Sequence, residues 1–265
     1  MRLEGSRVLL TGATGGIGKS IARALHARGA EVLVTGRRED VLAELRAELG
    51  ERVTPITADL SDRDAVAELA RAAEGVDAFV ANAALPASGP IEDFTPEEID
   101  RALEVNLRAP IQLVRELMPG MVERGRGHVV LISSLSGKVA SPGSGVYSAT
   151  KFGLRGFGSS LRQDLHETGV GVTVVYPGFI RDAGMFEEAG VELPPGVGTS
   201  APEEVAEAVV SGIEDERAEI DVAPAAMRAG SFVASIAPVT SAKIQRKLGS
   251  AEVAEQMRSG QRDKR

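Results

Sequence analysis

Apolar runs and amphipathic stretches alternate along this chain from its first residues to about position 223. The runs predict strands over residues 7–11, 31–35, 52–58, 76–81, 128–133, 170–176 and 219–223. Helical spacing predicts helices between them over 17–29, 40–49, 62–73, 96–124, 147–168 and 202–214. Ser61 before Asp62 and Thr95 before Pro96 read as N-caps. The run Val129-Val130-Leu131-Ile132 is apolar at odd and even positions alike, so both faces of that strand must be covered. Strands of this kind linked by helices form a doubly wound parallel sheet, and the expected fold is α/β with helices on both faces. No repeat or low-complexity linker divides residues 1–224, so one catalytic domain is expected there.

Composition narrows the chemistry. With 43% hydrophobic and 26% charged residues, the chain has enough apolar surface to order itself. It has no cysteine, which excludes disulfides, thiolate metal sites and a cysteine nucleophile. Three histidines, His26, His128 and His166, are too few and too scattered to suggest a metal centre, so no metal is expected. The net charge of −8 argues against nucleic acid as a partner. Residues 1–7 carry no apolar core, and no stretch reaches the roughly 20 apolar residues of a membrane span, so a cytoplasmic protein is expected.

Two segments break the alternation. Residues 181–200 form a Gly/Pro-rich insertion after the sixth strand, at the carboxyl edge where such sheets bind ligands. Residues 225–265 hold eight basic and three acidic residues, a tail of +5 on a body of −13.

The first strand runs into Thr11-Gly12-Ala13-Thr14-Gly15-Gly16-Ile17-Gly18, and a helix follows. Glycines there let backbone N–H groups approach a pyrophosphate at the helix N-terminus, the signature of a Rossmann-like dinucleotide site. The second strand ends in Arg37 and Arg38 where an NAD site usually carries an acid. Two guanidiniums suit the 2′-phosphate of NADP(H), so NADP(H) is expected over NAD(H). Glu39 and Asp40 follow too late and read as helix-start acids. Further on, Tyr147 and Lys151 stand four apart on one helix face. A phenol titrates near 10, and an ammonium beside it eases the loss of its proton.

In the order of these motifs, residues 6 to about 223 resemble the short-chain dehydrogenase/reductase family. The family's T-G-x-x-x-G-x-G matches Thr11 to Gly18, and its Y-x-x-x-K matches Tyr147 to Lys151. The family's serine, thirteen residues before the tyrosine, falls on Ser134 and not Ser133. Its middle-helix asparagine falls on Asn106, and its adenine-contacting aspartate on Asp59, followed by Leu60. The resemblance implies that Ser134 polarises a substrate carbonyl and Tyr147 transfers the proton. It implies that Lys151 binds the nicotinamide ribose and tunes the phenol, while Asn106 holds a water that relays protons to Lys151. Gly12, Thr14, Gly15, Gly16, Ile17, Gly18, Arg37, Arg38, Asp59, Leu60, Asn82, Tyr147, Lys151, Pro177, Gly178 and Ile180 would hold the cofactor. The sequence departs from the family at Ala81-Asn82-Ala83-Ala84, where N-N-A-G is usual, and near Asp182, where a threonine is usual.

The implied activity interconverts a carbonyl and a primary or secondary alcohol with NADP(H). Narrower and contrary alternatives are 3-oxoacyl-carrier-protein reduction and a catalytically silent NADP-binding regulator. Met185, Phe186, Val191, Leu193, Pro194 and Pro195, with Val139, Ala140 and Pro142, would wall an apolar pocket, and Glu187, Glu188 and Glu192 would disfavour anions. A neutral apolar small molecule is therefore the expected substrate. Apolar Leu113, Leu117, Phe152, Phe157 and Leu161 suggest helix packing into a homodimer or homotetramer. The tail would pack on the body or a neighbouring subunit, cover the substrate mouth, or touch an anionic membrane surface weakly.

Overall fold

The computed structural model describes residues 1–194, 197–247 and 250–262. Seven parallel strands form one sheet: β1 (Arg7–Thr11), β2 (Glu31–Gly36), β3 (Val53–Thr57), β4 (Ala78–Ala81), β5 (Gly127–Ile132), β6 (Val170–Pro177) and β7 (Glu219–Val222). Their order is β3-β2-β1-β4-β5-β6-β7, a Rossmann-like sheet. After β3 the chain crosses back past β1 to β4, so loops leaving β1 and β4 diverge at the carboxyl edge and open a crevice there.

The helices are α1 (Gly16–Ala27), α2 (Glu39–Leu49), α3 (Arg63–Ala72), α4 (Pro96–Leu103), α5 (Ala109–Glu123), α6 (Gly145–Asp164), α7 (Gly184–Glu188), α8 (Pro202–Glu214), α9 (Ala225–Ile236), α10 (Pro238–Lys247) and α11 (Ser250–Gln261). Strand alternation divides the core in two. Val8 and Leu10 of β1 join Ile21, Leu42 and Val209 from α1, α2 and α8 on one face. Leu9 between them joins Leu69, Leu113 and Leu161 from α3, α5 and α6 on the other. This is the doubly apolar strand pattern converted into packing.

Three local expectations need correction. The cap of α3 is Asp62, whose carboxylate accepts from the N–H groups of Asp64 and Ala65 at 2.8 and 3.3 Å. Ser61 instead binds Asp59 through its N–H and hydroxyl. Thr95 does cap α4, in a reciprocal box with Glu98. The long helix expected over 96–124 is interrupted by a π-turn at Glu104–Arg108, an extra residue that 3.6-residue periodicity cannot register. Finally, Leu113, Leu117 and Leu161 lie buried in their own core and offer nothing to another subunit; of the five residues named for assembly, Phe152 is exposed and Phe157 only partly covered.

Candidate active site

At the end of β1 the chain turns so tightly that glycine is required. Gly12 has φ +69°, and a Cβ on it would lie 2.7 Å from the Cα of Ala83. A Cβ on Gly18 would lie 2.1 Å from the Gly12 carbonyl oxygen, and one on Gly16 would lie 2.5 Å from the Cβ of Ala183. The turn thus packs bare backbone against the N-terminus of α1, a shape suited to a pyrophosphate. Asn82 holds it from the β4 side: its Nδ2 donates to the carbonyls of Thr11 and Gly12, each at 3.1 Å. The Thr11 hydroxyl accepts from the N–H groups of Asn82 and Ala83.

Arg37 and Arg38 are exposed beside this turn, at the end of β2. Arg38 donates to the Thr14 carbonyl. Burial pushes the Asp59 carboxyl up, but hydrogen bonds from Ser61 and the nearby Arg37 and Arg101 guanidiniums outweigh it, leaving a carboxylate below its usual range. Asp59 and Leu60 line the crevice with the glycine turn.

Ser134, Tyr147 and Lys151 meet on the crevice floor. Ser134 follows β5; its hydroxyl accepts from Ser136 N–H at 3.1 Å and lies 3.4 Å from the Pro177 carbonyl. Ser133 is spent structurally, its hydroxyl donating to the Lys151 carbonyl at 2.9 Å. The Lys151 ammonium is buried, donates to the Ile132 carbonyl at 3.0 Å and lies 5.5 Å from the centre of the Tyr147 ring. Burial brings the Lys151 pKa down to about 8. Burial pushes the Tyr147 phenol up to about 12, opposed by a hydrogen bond with Ser134. The other tyrosine, Tyr176, is fully buried and donates to Glu219 at 2.9 Å, so it has no access to a substrate.

The side-chain amide of Asn106 is engaged with backbone. It sits in the π-turn, fully buried, with Oδ1 accepting from Leu85 N–H at 2.6 Å and Nδ2 donating to the Leu85 carbonyl at 2.9 Å. Its amide therefore pins the loop after β4. Asp182 stands near the family's usual threonine position, with its carboxylate exposed. Its φ of +60° turns the carboxylate outward beside Arg181, and Ala183 is the residue that meets the glycine turn.

The crevice has a volume of about 1210 Å³. Met185, Phe186, Leu193, Pro194, Val139 and Pro142 line it as expected. Phe179 packs against Phe186 in a tilted pair, 5.0 Å between ring centroids. Val191 is buried without lining the crevice, Ala140 is exposed, and Pro195 lies outside the described residues. Of the three glutamates, only Glu188 reaches the wall. A tail over the substrate mouth is one of the expected placements, and Val233 and Ile244 of it line the crevice, together with Met227, Ser231, Val253, Met257 and Gln261, which the sequence does not single out. No spacing signal marks them, because their positions depend on α9–α11 folding back across the crevice. Arg258 clasps Asp93 on one rim, and Gln256 accepts from Glu192 N–H at 2.8 Å on the other. Among the described residues no acidic or histidine cluster could hold a metal, and no helix is long and apolar enough to cross a membrane.

Sheet order, glycine turn and crevice define a nucleotide-binding α/β oxidoreductase. The chain belongs to the short-chain dehydrogenase family, whose profile, described as short chain dehydrogenase, matches residues 6–192. It is 43% identical over 185 residues to nodulation protein G of Rhizobium sp. (strain N33), covering 68% of this chain and 76% of that one. It is 37% identical over 217 residues to an NADP-dependent 3-hydroxy acid dehydrogenase of Salmonella typhi, covering 76% and 86%. A serine dehydrogenase solved in closed form with NADP⁺ superposes with a TM-score of 0.74 at 32% identity, over 83% of this chain and 95% of that one.

Proposed function

We propose that this chain is an NADP(H)-dependent oxidoreductase that interconverts a carbonyl and a primary or secondary alcohol on a neutral, apolar small molecule, with Tyr147 as general acid and base. The reading rests chiefly on the convergence of the Ser134 hydroxyl, the Tyr147 phenol and the Lys151 ammonium between the glycine turn and an apolar wall. The glycine turn, Arg37, Arg38, Asp59, Leu60, Asn82, Pro177, Gly178 and Ile180 would hold NADP(H), which supplies the hydride. In reduction, Ser134 orients the carbonyl and Tyr147 gives its phenolic proton to the oxygen as it gains charge. In oxidation Tyr147 takes that proton back. NADPH consumption across aldehydes, ketones and acyl thioesters tests the reading: neutral apolar carbonyls are expected to be the best substrates. Preference for short keto acids would overturn the substrate class, and silence across the panel would favour a non-catalytic binder.

Arg37 and Arg38 should make NADPH bind roughly thirtyfold more tightly than NADH through charge-assisted bonds to the 2′-phosphate. Titrating both cofactors checks this, and equal dissociation constants would remove the assignment. Arg37→Asp is expected to reverse the preference.

The pH profile follows from the two titrations. Reduction needs a protonated phenol, which Tyr147 keeps until about pH 12, and a charged Lys151, which is lost as pH rises through about 8. In the reducing direction kcat/KM should be flat below that point and fall roughly tenfold per pH unit above it. Lys151→Arg should carry the falling limb well upward, because a guanidinium keeps its charge. A limb that stays in place would assign it to another group.

We further propose a homodimer or homotetramer, with exposed Phe152 and Leu103 at the contact between α4–α6 of neighbouring chains. A sedimentation mass near 27.7 kDa would contradict it.

A further inference from the structure

The helix α9 carries a large apolar face on its outer side. Its inward positions are Met227, which packs on the core, and the buried Ser231 and Ala234, while Phe232, Val233 and Ile236 stand exposed at 68%, 50% and 70%. The adjoining α10 continues the pattern with Val239 and Ile244 exposed and Ser241 buried. A helix of a water-soluble protein normally turns its apolar stripe to the core, so this face calls for a cover.

Charge identifies the cover. Residues 222–251 contain no acidic residue and four basic ones, on a chain of net −8. Arg228, Lys243 and Arg246 are exposed and pair with no carboxylate among the described residues. Along α9, Arg228, Phe232 and Ile236 follow one another at four-residue intervals; along α10, Val239, Lys243 and Arg246 follow at four and three. Apolar side chains flanked by unpaired cations, on helices too short to span, match a helical pair lying in the interface of an anionic bilayer. Val233 and Ile244 also line the active-site crevice, so the apolar strip is continuous from the outer face to the substrate cavity.

We propose that the α9–α10 hairpin docks on anionic membrane surfaces and admits apolar carbonyl substrates from the bilayer into the crevice. Docking stands on the hairpin alone; the route of entry rests on the proposed function. The hairpin's apolar side chains would sit at the headgroup boundary while Arg228, Lys243 and Arg246 meet lipid phosphates.

Flotation of the full chain with vesicles carrying about 30% phosphatidylglycerol, against pure phosphatidylcholine vesicles, tests docking directly. Binding is expected to the anionic vesicles only. Phe232→Ser with Ile236→Ser should lower it at least about tenfold, as should Lys243→Glu with Arg246→Glu, with no change in Tm or in NADPH-linked turnover of a water-soluble ketone. No binding to either vesicle would overturn the inference. So would serine variants whose effect is a lower sedimentation mass, which makes the face a subunit contact, or charge variants that raise only KM for a carrier-linked acyl substrate, which makes it a protein dock. Loss of soluble-ketone turnover in the parent, with vesicle binding intact, would instead strike the proposed function and leave docking in place.

Discussion

Tyr147→Phe is expected to lower kcat by about 10³-fold or more, leaving the NADPH dissociation constant within about threefold of the parent. A 10³-fold loss corresponds to about 4 kcal/mol of lost transition-state stabilisation. Burial pushes the phenol's pKa up to about 12, so at neutral pH it is present in the proton-bearing form that reduction requires, and the charge developing on the substrate oxygen draws the proton across. The alternatives nearby are poor. The Ser134 alkyl hydroxyl is a far weaker acid than a phenol, and Lys151 is drawn toward the Ile132 carbonyl at 3.0 Å. Removing one hydroxyl from a half-buried ring keeps the ring beside the Lys151 ammonium, so packing and cofactor binding should survive. Stopped-flow turnover with a responsive ketone, beside a fluorescence titration of NADPH, separates the two quantities. Activity within tenfold of the parent would mean that another group carries the proton.

Gly18→Ala is expected to weaken NADPH binding by at least about a hundredfold and to cost about 2–3 kcal/mol of stability. The new Cβ would stand 2.1 Å from the Gly12 carbonyl oxygen and 2.8 Å from the Cα of Ala13. Both are backbone atoms, so no side chain can swing away; the turn itself must open, and its N–H groups leave the phosphate-binding arrangement. Gly156→Ala is the control. It lies in the middle of α6, where a Cβ meets nothing within 4 Å, so the helix should gain stability by about 0.5–1 kcal/mol and binding should not change. Calorimetric Tm values and NADPH titrations of both variants suffice. Comparable behaviour of the two would refute the cradle.

Tyr147 and Gly18 were both legible as residues before any fold was known, and so was most of the scaffold around them. Strand faces follow from which positions are apolar, and the β-α-β rhythm leaves few ways to cover a doubly apolar strand. Thr95 and Glu98 are local chemistry within four residues, which is why that cap was readable. The Asp62 cap was misassigned to its neighbour because Ser61 and Asp62 are both good caps, and only the orientation of Asp59 decides which one is free.

Other features had no local signature. The π-turn that buries Asn106 and fastens it to Leu85 adds one residue to a helix whose apolar spacing stays nearly regular. The outward carboxylate of Asp182 is set by a backbone angle. Whether Leu113 and Leu161 were core or contact surface depended on how closely α5 and α6 approach the sheet.

The tail marks the boundary most clearly. By itself the sequence determined a parallel α/β sheet, a glycine turn suited to a dinucleotide and a tyrosine and lysine on one helix face, because each is encoded by near neighbours or by strand alternation, whereas Ser134 was picked out from Ser133 only by resemblance to the family. Only the tertiary structure decided that residues 225–247 and 250–262 fold back over the crevice, clasped through Arg258 to Asp93, and that Phe232 and Ile236 face outward. Those contacts join positions as much as 165 residues apart, and their geometry depends on the relative placement of whole elements, which no short window of sequence contains.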